Sequence, residues 1–138
     1  MADYLPILAI FALTTAYGIW YQRSRGKVRA KAKRASVKPL LADEIGGELG
    51  SRATFVQFSS AFCTPCRATR ALLTDITADL NDVEHIEIDA EQNLELVRKL
   101  DIRSTPTTLV LDKDGVEIGR AIGAPKRVEI LETLASIK

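Results

Sequence analysis

Tyr4 to Gln22 is a stretch of 19 residues, YLPILAIFALTTAYGIWYQ, without a formal charge. Wound as an α-helix at about 1.5 Å per residue, it reaches roughly 28 Å, close to the ~30 Å hydrocarbon core of a bilayer. Pro6 falls in the first turn, where a missing N–H costs little. Tyr17, Trp20 and Tyr21 gather at the far end, the level of an interfacial aromatic belt. Three other readings compete with a membrane span. A cleaved signal peptide expects Lys or Arg ahead of the apolar run, and only Asp3 stands there. A core helix is usually shorter and amphipathic, and an interfacial helix needs a polar face, whereas this stretch is apolar all round. The expectation for residues 1–22 is a single transmembrane anchor.

Charge divides the rest of the chain. Residues 23–38 carry Arg23, Arg25, Lys27, Arg29, Lys31, Lys33, Arg34 and Lys38 and no acid, a local charge of +8. Residues 39–138 hold 11 basic and 17 acidic side chains, so the overall charge of +1 conceals a basic linker joined to an acidic domain. Cations beside a membrane helix are retained on the cytoplasmic side, which predicts the N-terminus outside and the domain inside. The same cations are drawn to anionic lipid headgroups, at about 1 kcal/mol per charge near the surface. A nucleic-acid arm fits less well, because no aromatics interleave the cations and the attached acidic domain repels phosphate.

The remaining hundred residues suffice for one small core without staples. Residues 39–49 read as a short helix opened by Pro39 and weakened by Gly46 and Gly47. Ala53 to Phe58 is β-branched and aromatic, a short buried strand, followed by a loop to Thr64. From Pro65 to about Leu80, Leu72, Leu73, Ile76 and Leu80 fall at helical spacing. Val83 to Ile88 alternates as a strand, and residues 92–100 put Leu94, Val97 and Leu100 on one helical stripe. Thr107 to Leu111 and Val116 to Ile122 are strands joined by a turn, DKDG, in which Gly115 supplies a positive φ. Pro125 opens a last helix with Val128, Leu131 and Leu134 expected inward. Strands joined through helices imply parallel pairing and the tight turn forces an antiparallel pair, so the fold class is α/β with a mixed sheet.

The two cysteines, Cys63 and Cys66, stand in Phe62-Cys63-Thr64-Pro65-Cys66 at a predicted helix start, close enough to bridge. A loop this short constrains the unfolded chain little, so a structural staple explains the pair poorly. Zinc needs further Cys or His ligands, and His85 is the one remaining candidate, so no metal is expected. Chance spacing of two buried thiols is the bland alternative. Against it, helix N-terminal N–H groups favour a nucleophilic thiolate at Cys63, and Pro65 fits the first turn without losing a needed bond.

Residues 39–138 resemble the thioredoxin family across the whole domain. Four features carry the resemblance: FVQFSSAFCTPC, a strand running into C-x-P-C; HIEID over His85–Asp89, like the family's central strand ending in Asp; IRSTPT, like the loop that carries a cis proline beside the active site; and DKDG followed by Gly123 and a closing helix. The resemblance implies a thioredoxin fold, a mixed central sheet flanked by helices, preceded here by one N-terminal transmembrane helix. It implies that Cys63 is the exposed attacking thiol and Cys66 the buried resolving thiol, the two forming a redox-active disulfide. It further implies a cis Thr105–Pro106 bond, with Pro106 facing Cys63 and Thr105 offering its backbone to an extended substrate. The sequence departs from the family where Phe62 replaces a Trp, Thr64 replaces a Gly, Gln57 replaces a buried acid and His85 aligns with a lysine. Gln cannot take a proton, so the proton of Cys66 falls to His85 or to water.

The expected function is a membrane-tethered thiol–disulfide oxidoreductase that reduces disulfide-containing protein substrates. It needs no cofactor, because the electrons travel in the dithiol, but it needs an electron donor that the sequence does not name. Inverted topology would make it an extracytoplasmic exchange or maturation factor. A thioredoxin-fold membrane adaptor or redox sensor is the alternative of a different class. Membrane lipid is an expected partner and nucleic acid is not.

Overall fold

Strand β2 (Ala53–Ser59) is buried along its whole length, at the centre of the sheet. The computed structural model describes residues 4–24, 26–30 and 38–137. Along it run helix α1 (Leu5–Ser24), strand β1 (Val28–Ala30), helix α2 (Ala42–Ile45), β2, helix α3 (Thr64–Ala78), strand β3 (Val83–Asp89), helix α4 (Leu94–Lys99), strands β4 (Thr107–Asp112) and β5 (Glu117–Ile122), and helix α5 (Arg127–Ser136). The sheet order is β1-β5-β4-β2-β3. The β2–β3 pair is parallel and joined through α3, while β2–β4, β4–β5 and β1–β5 are antiparallel. This is the mixed sheet expected from the sequence.

The period of two along β2 sorts its side chains into two cores. Val56 and Phe58 pack with Leu40, Ile45, Ile88, Leu100, Ile102, Leu109 and Leu111 on the α2 and α4 side. Ala53 and Phe55 pack with Leu73, Ile76, Val83, Val110, Ile130 and Leu134 on the α3 and α5 side. Gln57 follows Phe55 by two and so lies on the α3 side, beneath the start of that helix. The same alternation on β3 places His85 and Glu87 there, in register with Phe55 and Gln57.

The β4–β5 turn depends on Gly115, at φ 78°. A Cβ there would stand 2.3 Å from the Leu40 carbonyl oxygen, so the position is closed by backbone as well as by conformation. Asp112 closes the turn, its Oδ1 accepting from the N–H groups of Asp114 and Val116 at 2.9 Å each.

Several expectations are corrected. On α5 the inward residues are Ile130 and Leu134; Val128 and Leu131 are exposed. The helix begins at Arg127 rather than at Pro125, and Ile130 and Leu134, four residues apart, share its inner face. Leu94 is exposed at the first turn of α4, and the buried side chains there are Leu100 and Ile102 just beyond its end. Helix α2 is one turn long, ended by Gly46 in a left-handed conformation. Residues 23–38 are not uniformly linker. Arg23 and Ser24 extend α1, and Val28–Ala30 joins the sheet edge. Asp3, Arg25, Lys31, Lys33 and Arg34 lie outside the described residues.

Helix α1 is exposed on every side, and it is long and apolar enough to cross a bilayer. A signal sequence passes the same test of length and composition. Thr14 and Thr15 donate their hydroxyls to the Ile10 and Phe11 carbonyls one turn back, which satisfies them within an apolar helix. Tyr17 lies 5.9 Å from Trp20 and 6.2 Å from Tyr21 between ring centroids, a single aromatic cluster near the C-terminal end.

Both cores are complete without α1, so two truncations should fold: a chain starting at Gly26 and one starting at Lys38. The second lacks β1 and should unfold at lower urea with nearly the same slope, followed by circular dichroism. Failure of the Gly26 chain to fold would mean that α1 contributes to the core.

Candidate active site

The chain leaves β2 at Ser59, turns, and enters α3 through Cys63. The turn is closed by the Cys63 N–H donating to the Ser60 carbonyl at 3.3 Å. Cys63 is the N-cap of α3 in extended backbone, Thr64 is its first helical residue, and Pro65 follows in the first turn. The N–H of Cys66 donates to Cys63 Sγ at 3.1 Å. The two sulfurs are bonded to each other in this structure. Cys63 is half-buried and Cys66 is buried at 1% exposure, while Phe62 stands 99% exposed beside them. Cys63 is therefore the more exposed of the two cysteines. In the reduced protein Cys63 Sγ would keep the Cys66 N–H as a hydrogen-bond donor, and that bond together with the helix end favours its thiolate.

The Thr105–Pro106 peptide bond is cis, as the family resemblance implies. Thr105 and Ser60 hydroxyls lie 3.2 Å apart, which joins this loop to the cysteine loop. The Pro106 carbonyl accepts from the Gly123 N–H at 2.8 Å, and Pro106 itself is buried.

Behind Cys66 lies a polar network that begins at Gln57. This side chain is fully buried. Its Nε2 donates to the Cys66 carbonyl at 2.9 Å and to Ser59 Oγ at 3.0 Å. The carbonyl can only accept, so the amide orientation is fixed and Oε1 must face His85 Nε2, 3.1 Å away. His85 therefore carries its proton on Nε2. Ser59 passes its own hydroxyl proton onward to Glu87 Oε1 at 2.6 Å. Glu87 is held from the other side by Arg70, Nε to Oε2 at 2.5 Å and Nη2 to Oε1 at 2.6 Å, a two-pronged ion pair. Gln57 thus stands between His85 and the backbone of Cys66, and its amide passes no proton from one to the other.

Burial holds the His85 imidazole below its ordinary value, and the nearby Arg70 cation pushes the same way against the attraction of Glu87. Burial pushes the Glu87 carboxyl up, but hydrogen bonds from Arg70 and Ser59 and the Arg70 charge outweigh it, so Glu87 titrates below the usual range. A cleft of about 310 Å³ opens beside the disulfide, lined by Cys63, Cys66, Arg67, Arg70, Glu87 and Asp89 among others.

These positions are those of a dithiol site. The pattern of thioredoxin matches residues 43–136, about two thirds of the sequence. The chain belongs to the thioredoxin family. Thioredoxin of Mycolicibacterium smegmatis is 31% identical over 88 residues, covering 62% of this chain and 78% of the relative. Thioredoxin H5 of Oryza sativa subsp. japonica is 31% identical over 72 residues, 52% of this chain and 53% of the relative. The chain thus spans about half the length of that plant relative. The crystal structure of Fasciola hepatica thioredoxin superposes with a TM-score of 0.58 at 26% identity, covering 70% of this chain and 88% of that one. Thioredoxins are disulfide oxidoreductases.

Of the residues singled out by sequence, Cys63, Cys66, Thr64, Pro65 and Phe62 lie together, and Thr105 and Pro106 are tied to them through Ser60. Gln57 and His85 are in contact with one another, and Gln57 alone reaches the Cys66 backbone. Sequence reasoning missed Ser59, Glu87 and Arg70. The alternation of β3 carried a signal for Glu87, two residues beyond His85 on the same face. Arg70 follows Cys66 by four, on the same side of α3.

The lowered His85 value sets a pH dependence. Below the ordinary imidazole value of 6.5 the unfolded chain binds a proton that the folded chain resists, so stability is full above that value and falls as pH drops through it. Urea midpoints measured from about pH 8 to about pH 5 should therefore decline for the native chain. The decline should be smaller in His85→Asn. Equal declines would mean that His85 is not the group responsible.

Proposed function

We propose that this protein is a membrane-tethered thiol–disulfide oxidoreductase that reduces protein disulfides. The observation that carries the reading is the Cys63–Cys66 disulfide at the start of α3, with Cys63 half-buried and Cys66 buried. In the reduced form the Cys63 thiolate attacks one sulfur of a substrate disulfide. The substrate S–S bond breaks, a mixed disulfide forms, and the departing substrate thiolate takes a proton. Cys66, as thiolate, then attacks Cys63 Sγ and expels the second substrate thiol. Two electrons leave the dithiol for the substrate, and a dithiol donor returns them.

The proton of Cys66 goes to water in the cleft that Cys66 shares with Glu87. Gln57 does not titrate, and His85 faces it with an N–H rather than a lone pair. Gln57 holds the Cys66 carbonyl, and Thr105 and Pro106 shape the surface on which a substrate segment lies. The helix Leu5–Ser24 supports the tether by its length and exposure, and the cations that follow support a domain on the cytoplasmic side, where the reducing environment favours reductase action.

Single-turnover reduction of a protein disulfide should be abolished in Cys63→Ser. Cys66→Ser should still attack and should accumulate mixed disulfides visible on non-reducing gels. Adducts trapped by Cys63→Ser and not by Cys66→Ser would reverse the roles. Turnover that survives Cys63→Ser would reject the reading.

Sidedness has its own test. A reporter fused after Lys138 should be active only if it is one that works in the cytoplasm. Activity of an export-dependent reporter would move the domain to the other side.

A further inference from the structure

We infer that the substrates are cysteine pairs close to the bilayer surface, carried on membrane proteins. This rests on the tethering proposed above and deepens it. The carrying observation is where the sheet receives the chain from the membrane helix.

Strand β5 runs antiparallel to β4, and β4 antiparallel to β2, so β5 and β2 point the same way. Both end at the edge of the sheet that bears the cysteine loop. Strand β1 is antiparallel to β5, with Val28 opposite Ala121, so β1 starts at that same end. The Gly26 N–H donates to the Ile122 carbonyl at 2.7 Å. Ile122 pairs with Thr107, and Thr107 pairs with Phe58. One row therefore crosses the sheet from Gly26 through Ile122 and Thr107 to Phe58, the residue before Ser59 and the active-site turn. Three strand spacings at about 4.8 Å make that row roughly 14 Å wide.

The junction to the membrane helix is as short. Ser24 is the last residue of α1 and Gly26 is already bonded to β5. Two Cα steps separate them, a span of at most about 8 Å. Cys63 follows Phe58 by five residues, through a turn closed on Ser60. Adding these spans keeps the reactive sulfur within roughly 40 Å of the end of α1, even if the five residues were nearly extended. The bound holds whichever way the domain leans and whichever side it occupies. A flexible basic linker over 23–38 would have let the site range far wider, and the Gly26 bond with the β1 pairing removes that freedom. The exposed Phe62 and half-exposed Ile122 present apolar surface at this same end, suited to a partner at the interface.

The chemistry is that of the dithiol already described: Cys63 attacks the substrate sulfur, the substrate S–S bond breaks, and Cys66 closes the Cys63–Cys66 disulfide. The test uses the full chain, reduced, freed of reductant and reconstituted in liposomes. Single-span peptides carry one cysteine as a mixed disulfide with 5-thio-2-nitrobenzoate. In one peptide the cysteine lies within about one helical turn of the bilayer; in the other it sits at the tip of a rigid helical spacer about 60 Å long. Release of the coloured thiolate should be at least tenfold faster from the near peptide. A variant with a flexible Gly-Ser insert of about 30 residues between Ser24 and Gly26 keeps the strand pairing and should lose that preference. A small soluble disulfide should react equally with both chains, which reports an intact site. Equal rates on near and far peptides, with the native chain resisting carbonate extraction, would overturn this inference and leave the tether standing. Release of the chain from the liposomes by carbonate would overturn the tether, and this inference with it.

Discussion

The burial of β2 on both faces is the constraint on which the rest depends. Residues 53–58 are closed to solvent and Ser59 nearly so, and the polar side chains among them need partners inside the protein. Gln57 brings two N–H donors and an acceptor to the α3 side, and the structure meets all three with the Cys66 carbonyl, Ser59 and His85. A buried amide with three fixed partners has one position. It therefore sets where the first turn of α3 sits over the sheet, and with it where the cysteines stand. Fold and site share this contact: the strand is central because it is apolar on both sides, and the helix start is located because that strand carries one amide.

The charges around the cysteines divide into paired and unpaired groups. Glu87 lies in the same cleft as the disulfide, but Arg70 grips both of its oxygens and Ser59 donates to one of them. The carboxylate stays ionised while its charge is largely cancelled locally. The cleft thus holds an acid without a strong net negative field, which would otherwise oppose thiolate formation at either sulfur. Arg67 lines the cleft one residue beyond Cys66 and adds positive potential on the exposed side. The helix N-terminus acts at the outer cysteine, whose Sγ accepts from the Cys66 N–H, and the Arg67 cation lies in the cleft that both cysteines line.

What the sequence made legible was governed by local chemistry. A proline in a first turn, a cysteine at a helix start and a glycine closing a hairpin each act within a few residues, and Pro65, Cys63 and Gly115 were all readable. Faces and pairings were harder. The inner side of α5 was misjudged because its stripe was stepped by threes through Val128, Leu131 and Leu134, and each step of three falls about 60° short of a full turn, whereas Ile130 and Leu134, four apart, share one face. Strand β1 was hidden among cations, because Lys27 and Arg29 alternate with Val28 in a stretch that looks solvated; only the free edge of β5 makes it a strand. Glu87 was passed over because an acid on a half-exposed strand usually faces solvent, and its tie to Arg70 spans 17 residues of sequence.

Gln57, where the resemblance to thioredoxins implies a buried acid, changes what the network can respond to. A buried carboxyl couples the site to pH through its own titration and costs stability whenever it is charged without a partner. An amide holds the same backbone carbonyl with no titration, so the geometry around Cys66 stays constant through the neutral range. The pH-sensitive member is displaced one step outward, to His85, which touches Gln57 and not the cysteines. Protonating that imidazole leaves Nε2 a donor toward Oε1, so the hydrogen bond survives and the cost is borne by desolvation of the new charge beneath α3. Acid thus weakens the packing under the helix before it disturbs the Gln57–Cys66 contact. The site keeps its shape at the expense of stability, the reverse of an arrangement in which the titrating group lies against the reactive sulfur.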